Sequence, residues 1–337
     1  MPTLKEIKGR IGSVRSTLKI TSAMKLVSSA KLRKAQAAIE NMLPYQSQLQ
    51  RLLALLPPAP STFWAEIMDE SAQKSVPSTN SGENVDAMTN TDRQSSTVIV
   101  AVASNSSLCG GFNANVIARV KTLLKEHPGA TVYSIGRKMA DAMRKAGYPS
   151  PEDFSALSEH PAYAPAAELA TRLMKDFFEG RTDRVLLVYN HYVSSAKQVP
   201  VVETFLPAGE MPGQAGHDGG GPAGHDAQAG HDGNGPTGHD GGATPVLPDP
   251  DREADCILEP SAKEILKRLL PKTVKLKLYT VLLDSAAAEH AARTIAMQTA
   301  TDNGEDLLDE LTLQYNKGRQ QKITSEILDL AGGQNQE

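Results

Sequence analysis

Three places in this 337-residue chain carry residue types that could do chemistry. The first is the run Leu108-Cys109-Gly110-Gly111-Phe112-Asn113, which follows an apolar stretch. A glycine turn between a strand and a helix is where α/β proteins hold phosphate, because free N–H groups and the helix dipole meet the anion there. This run is not a G-x-G-x-x-G, and no lysine stands where a phosphate loop needs one. Cys109 has no histidine near it in sequence to activate it as a nucleophile, so the residues favour an inert thiol and structural glycines, with Asn113 as the cap of the next helix. The second place is 208–249, with four Gly-His-Asp tripeptides at His217, His225, His231 and His239. Such pairs can bind Zn²⁺ or Ni²⁺ weakly. The tract also holds thirteen of the chain's 26 glycines, and a disordered loop with too little apolar surface to fold is the stronger reading. The third is a basic face: residues 1–40 hold nine Lys/Arg and two acids, while 208–255 hold nine acids and one arginine. That face reads as the solvated side of a helix or as a contact for an acidic protein surface. Nucleic acid is disfavoured, because the chain's net charge is −4 and no aromatics interleave the cations.

The elements that must position these residues are mostly long helices. Aromatic content is 4%, with Trp64 as the one tryptophan, which suits helices packed by Leu, Ile and Ala better than a large compact enzyme. Two cysteines, Cys109 and Cys256, give neither a disulfide framework nor metal-ligand spacing. The sequence predicts no signal peptide and no membrane-spanning run. No metal, cofactor or catalytic residue is predicted.

Thr3-Leu4-Lys5-Glu6 is a capping box that opens a helix. Its apolar seam runs through Leu4, Ile7, Ile11, Val14, Leu18, Leu32, Ala35, Ile39 and Met42 in steps of three and four. The intervening seam positions are Thr21, Lys25 and Ser28, and there the apolar residues Met24, Leu26 and Val27 sit off the seam. The spacing predicts a rod of about 80 Å, kinked at Pro44 and ended by Pro57-Pro58. A second capping box, Ser261-Ala262-Lys263-Glu264, predicts a short helix to Leu270, followed by a new helix of about 90 Å from Pro271 through an alanine-rich middle. Each end helix has only one apolar side, so pairing them buries both, in antiparallel sense because the middle of the chain must return near its starting point. Between them, strands are predicted at 97–103, 130–135, 185–192 and 199–206, and helices from Asn113, at 137–146 and at 168–178, which makes a mostly parallel sheet covered by helices. The expected class is therefore α/β: a long antiparallel coiled coil of N- and C-terminal helices with a central Rossmann-like α/β domain. Its parts are 1–58, a flexible insert 59–96, the domain 97–207, the disordered insert 208–256, and 257–337.

Four motifs carry a family resemblance. IGSVRSTLKITSAMKLVSSAKLRKAQ from Ile11 resembles the N-terminal helix of the γ subunit of F-type ATP synthases, and LCGGFNANV from Leu108 is similar to that family's central turn. EHAARTIAMQTATDN from Glu289 and YNKGRQQKITSEILDL from Tyr315 resemble its C-terminal helix. The resemblance implies a non-catalytic rotor, the central stalk of a proton-driven ATP synthase. It would stand on the c ring beside ε and reach into the ring of α and β subunits, with δ elsewhere in the complex. It would be peripheral to the cytoplasmic face of a bacterial cell membrane. It also implies shaft contacts at Met24 and Lys25 on the first helix and at Arg319, Gln320 and Thr324 on the last. The family's usual aspartate-arginine-glycine is replaced by Asn105-Ser106-Ser107, and Gly304 and Gly318 stand where alanine is usual. Each such glycine costs on the order of 1 kcal/mol of helix propensity. From the residues alone, a coiled-coil adaptor, or a small-molecule enzyme using Cys109 or the Gly110-Gly111 turn, stands as the alternative.

Overall fold

The computed structural model describes residues 3–54, 56, 96–207 and 259–333. Both inserts, the four Gly-His-Asp tripeptides, Trp64, Cys256 and Pro57-Pro58 lie outside the described residues. Helix α1 is Leu4–Ala54 and helix α6, the last, is Ala262–Gly333. Between them run β1 (Thr97–Val102), α2 (Phe112–Glu126), β2 (Thr131–Ile135), α3 (Arg137–Lys145), α4 (Ser155–Glu159), α5 (Tyr163–Phe178), β3 (Arg184–Tyr192) and β4 (Gln198–Leu206).

The helix starts repay the sequence reading in part. Glu6 N–H donates to Thr3 Oγ1 and the Glu6 carboxylate takes the Thr3 N–H at 3.0 Å, a complete capping box. At the second box only half forms: Glu264 N–H reaches Ser261 Oγ at 3.2 Å, while the Glu264 carboxylate turns to Arg268 instead. The predicted break at Pro271 does not occur, and α6 is one helix of 72 residues, roughly 110 Å long. Leu266, Leu270, Val274 and Leu278 explain this: four-residue steps carry one buried stripe across the proline. Burying each of those side chains contributes about 1.5–3 kcal/mol, enough together to offset the roughly 3 kcal/mol that an interior proline costs. Likewise α1 runs through Pro44 to Ala54. Helix α5 begins at Tyr163, five positions before the expected start, because Pro165 fits a first helical turn.

The two long helices pair in antiparallel register. Leu4 lies against Gly318, Leu18 against Gly304, Thr21 against Thr301, and Leu32 against Ala287 and Ala291. Every seam position read from the sequence is buried or half-buried. The two unusual glycines therefore have a packing role inside a continuous helix. A Cβ at Gly304 would stand 2.7 Å from Leu18 Cδ2, and one at Gly318 3.1 Å from Leu4 Cδ2, so the two leucines fill the space that side chains would take.

The sheet has the order β2-β1-β3-β4, with β1 parallel to both β2 and β3, and β4 antiparallel at the edge. Strand β1 is buried throughout and splits its side chains by alternation. Val98, Val100 and Val102 enter a core shared with α5 and α6, while Ile99, Ala101 and Ala103 enter one shared with α2 and α3. The sheet domain is thus built around the lower part of α6, and its other face closes on itself. Between β2 and α3 the chain turns at Gly136 with φ 97, where a Cβ would stand 2.1 Å from the Ala103 carbonyl oxygen. Backbone cannot yield as a side-chain tip can, so Gly136→Ala should destabilise the chain by about 3 kcal/mol or more. Chemical denaturation of wild type and variant side by side checks this, and equal stability contradicts the geometry.

Candidate functional site

The candidate site is a stretch of the shaft surface where α1, the β1–α2 turn and α6 meet. On α1, Thr21 and Ser28 are 8% and 3% exposed, whereas Leu26 and Val27 are 71% and 56% exposed. The apolar and polar residues have exchanged their usual sides. The polar seam residues narrow the pair. Thr21 donates to the Leu18 carbonyl at 3.1 Å, and Thr301 donates to Thr21 Oγ1 at 2.9 Å, so both hydroxyls are satisfied between the helices. Facing the alanines of α6, short side chains allow close approach, and the larger apolar residues are left to point outward with Ile20.

A cavity of about 300 Å³ opens here, lined by Ala23, Met24, Val27, Ser28 and Lys31 of α1, by Ser106 of the turn, and by His290 and Arg293 of α6. Its floor is charged. Glu289 and Arg293 are buried one helical turn apart and bridge at 2.7 Å. Burial pushes the Glu289 carboxyl up, and the Arg293 guanidinium opposes that shift. Arg293 also donates through Nη2 to Ser106 Oγ at 2.8 Å. His290 beside them is pushed down to about 4 by burial, then by the positive charges of Arg293 and Lys31, and its Nδ1 has no hydrogen-bond partner among the described residues.

The β1–α2 turn is held by side chains. Asn113 does not cap α2, whose N-cap is Gly111 without a side-chain bond. The Asn113 amide turns back instead, accepting the Ser104 N–H at 3.0 Å and donating to Cys109 Sγ at 3.1 Å. Being the second residue of the helix, it faces the strand end and not the free N–H groups of α2. Cys109 is 2% exposed within this knot. Gly110 has φ 56, and a Cβ there would stand 3.9 Å from Ala296, so the turn lies close on the α6 surface.

The five residues singled out from the sequence fall in two groups. Met24 and Lys25 are half-buried beside the cavity. Arg319, Gln320 and Thr324 are exposed, and the Thr324 hydroxyl donates to the Gln320 carbonyl at 2.9 Å. Because Leu4 already lies against Gly318, α6 from Arg319 onward runs past the described start of α1. This tip carries exposed Ile323, Ile327 and Leu328. The structure does not bring the two groups together: roughly 30 Å of shaft separates them.

A family model described as ATP synthase matches residues 3–335. The ATP synthase gamma chain of Phocaeicola vulgatus is 42% identical over 99% of both chains. The chain belongs to the ATP synthase gamma-chain family. The gamma chain of Bacteroides thetaiotaomicron is 39% identical over 99% of each chain. The fold is shared with a chain in the Euglena gracilis mitochondrial ATP synthase structure of the OSCP, F1 and c ring in rotational state 3, with TM-score 0.58, 19% identity, and 98% and 93% of the two chains covered. It is also shared with a chain of the rotor of that enzyme in rotational state 1, with TM-score 0.54, 16% identity, and 95% and 98% covered. Ser106 and the two glycines each meet a residue of another element: Arg293 for Ser106, Leu18 for Gly304 and Leu4 for Gly318.

Sequence reasoning missed Glu289, His290, Arg293 and Ser106 as a group. A signal was present: Glu289 and Arg293 are a four-residue ion-pair step set inside the alanine run. The His290 environment has a pH signature. Its folded-state value lies below the ordinary 6.5, so as pH falls the unfolded chain takes up the proton first. Stability is therefore lost progressively between pH about 6.5 and about 4, and nothing is lost above. His290→Gln should match wild type in melting temperature near pH ~7.5 and exceed it near pH ~5. Parallel pH dependence of the two melting curves contradicts the assignment.

Proposed function

We propose that this chain is the rotating central stalk of a bacterial F-type ATP synthase, a non-catalytic subunit that carries torque between a proton-driven c ring and the α and β subunits. The observation that carries the reading is asymmetry. The shaft is two helices thick over most of its length and one helix thick at its tip, and an outward apolar patch lies to one side of its middle at Leu26 and Val27. A surrounding ring of subunits meets a different face at each position. A ligand or partner shifts a conformational equilibrium only by contacting two states differently, so turning such a shaft redistributes which ring subunit is favoured. The sheet domain, on this reading, is the foot that stands on the c ring beside ε, with the complex held peripherally on the cytoplasmic side of the cell membrane. No described helix is itself long and apolar enough to cross a membrane.

The working contacts on this reading are Met24 and Lys25 at the mid-shaft patch and Arg319, Gln320 and Thr324 at the tip. An exposed arginine and amide on a solitary helix have donors free for a carbonyl or carboxylate of a surrounding subunit. Two such bonds, at about 1 kcal/mol each, correspond to about a thirtyfold change in turnover. The double substitution Arg319→Ala with Gln320→Ala should therefore lower ATP turnover of the reconstituted complex about thirtyfold, with helix content of the isolated chain unchanged. Unaltered turnover contradicts the contacts. The wild-type chain alone should hydrolyse no ATP, and robust hydrolysis by it contradicts the non-catalytic role.

A further inference from the structure

Helix α6 changes character as it passes the sheet domain. Below, it presents large side chains to the core: Leu266, Leu270, Val274, Leu278 and Leu282. Above, between Leu283 and Met297, its buried apolar residues are Ala286, Ala287, Ala288 and Ala291. Apolar attraction is non-directional, and a row of methyl groups raises no ridge that would stop one body from turning against another. In this smooth stretch the directional contacts are polar.

Among the described residues, two tie this stretch to the sheet domain. Asp284 takes the Tyr192 N–H on Oδ1 at 2.9 Å and holds its Oδ2 at 2.6 Å from His191 Nδ1, which grips the C-terminal end of β3. Arg293 reaches Ser106 in the β1–α2 turn, with its guanidinium steadied by Glu289. The step from Asp284 to Arg293 is about two and a half helical turns, so the two side chains leave α6 on opposite sides, about 13 Å apart along the axis. Contacts on opposite sides of an axis resist twisting as a couple, whereas contacts on one side act as a hinge. Lys277, about two turns before Asp284 and so on the same side, adds an ion pair to Glu203 of β4 at 2.6 Å; that carboxylate also accepts the Tyr189 hydroxyl at 2.9 Å.

We infer that Asp284 on one side and the Arg293–Ser106 contact on the other are the two jaws of a torsional grip through which turning force passes between the sheet domain and the shaft. This rests on the rotor reading above. The residues are positioning residues: they touch no nucleotide, and their effect is on stiffness.

The test uses the complex reconstituted with α and β subunits, anchored through the ring, with a bead tethered to Lys121→Cys on α2 in a Cys256→Ser background. With ADP and fluoroberyllate holding the ring at one step, the width of the bead's angular distribution reads the compliance between sheet domain and shaft. The two contacts are far enough apart to act independently, so Asp284→Ala with Ser106→Ala should broaden the angular variance about twofold or more. Ser106→Ala alone should broaden it by less, and Asp284→Asn, which keeps an acceptor for the Tyr192 N–H, should stay near wild type. A width equal to wild type in the double variant, with assembly and melting temperature preserved, overturns the grip. If the double variant does not assemble, an unchanged width in Ser106→Ala overturns it instead. The rotor reading is tested separately in the same apparatus, because a wild-type bead that does not turn on addition of ATP contradicts that reading whatever the widths.

Discussion

The close pairing of α1 with α6 is the constraint on which the rest of the structure depends. Helices of this length cannot be buried by a domain of ordinary size, and each has one apolar stripe to hide. Where they cross the sheet domain, the seam is rich in small residues: Thr21 and Ser28 on α1, and Ala287 and Ala291 on α6, the two alanines receiving Leu32. Small side chains bring the backbones together and leave room around the pair for a third partner, the β1–α2 turn. The hydroxyl pair of Thr21 and Thr301 fixes register without adding bulk. Above it, Leu18 over Gly304 and Leu4 over Gly318 continue the same economy of space by inverting which helix carries the side chain.

Consequences follow outward from that seam. Because the buried side of α1 is polar and narrow there, its larger apolar residues face out, which creates the one-sided patch at Leu26 and Val27. Because α6 is nearly all alanine there, the buried pair Glu289–Arg293 and the carboxylate of Asp284 carry the directional contacts to the sheet domain. Breaking a buried ion pair by removing one member is costly, since the other charge is left without compensation. Fold and mechanical role are thus set by the same few residues, with the shaft thin at its seam, apolar on one outer side, and tied to its foot by polar contacts.

Much of this was legible in the sequence, for physical reasons. The seam of α1 repeats over a long distance, so one or two polar positions cannot obscure it, and every position assigned to it is at least half-buried. The strands of the sheet were visible as apolar runs because β1 and β3 are covered on both faces. What could not be read were effects of tertiary packing. Pro271 looks like a boundary locally, and only the buried stripe on both sides of it keeps the helix going. Asn113 has the right residue type for a cap, and its place one residue inside the helix turns it toward Ser104 and Cys109. Ser106 reads as an ordinary turn residue, and its bond to Arg293 spans 187 positions. The shaft contacts proposed at Met24, Lys25, Arg319, Gln320 and Thr324 depend on partners around the shaft, so local sequence pattern carries no signal for them.

If the two helices form one rigid shaft, they have no need to move against each other while the complex works. Replacing Thr21 and Thr301 by cysteines puts two thiols where hydroxyl oxygens are 2.9 Å apart, within reach of a disulfide after small side-chain adjustment. The decisive measurement is coupled ATP synthesis by the complex carrying Thr21→Cys and Thr301→Cys, before and after mild oxidation. The account predicts that the intrachain bond forms readily and that synthesis continues at its former rate. Failure of the bond to form contradicts the register, and synthesis that stops on oxidation and returns on reduction contradicts a shaft that turns as one body.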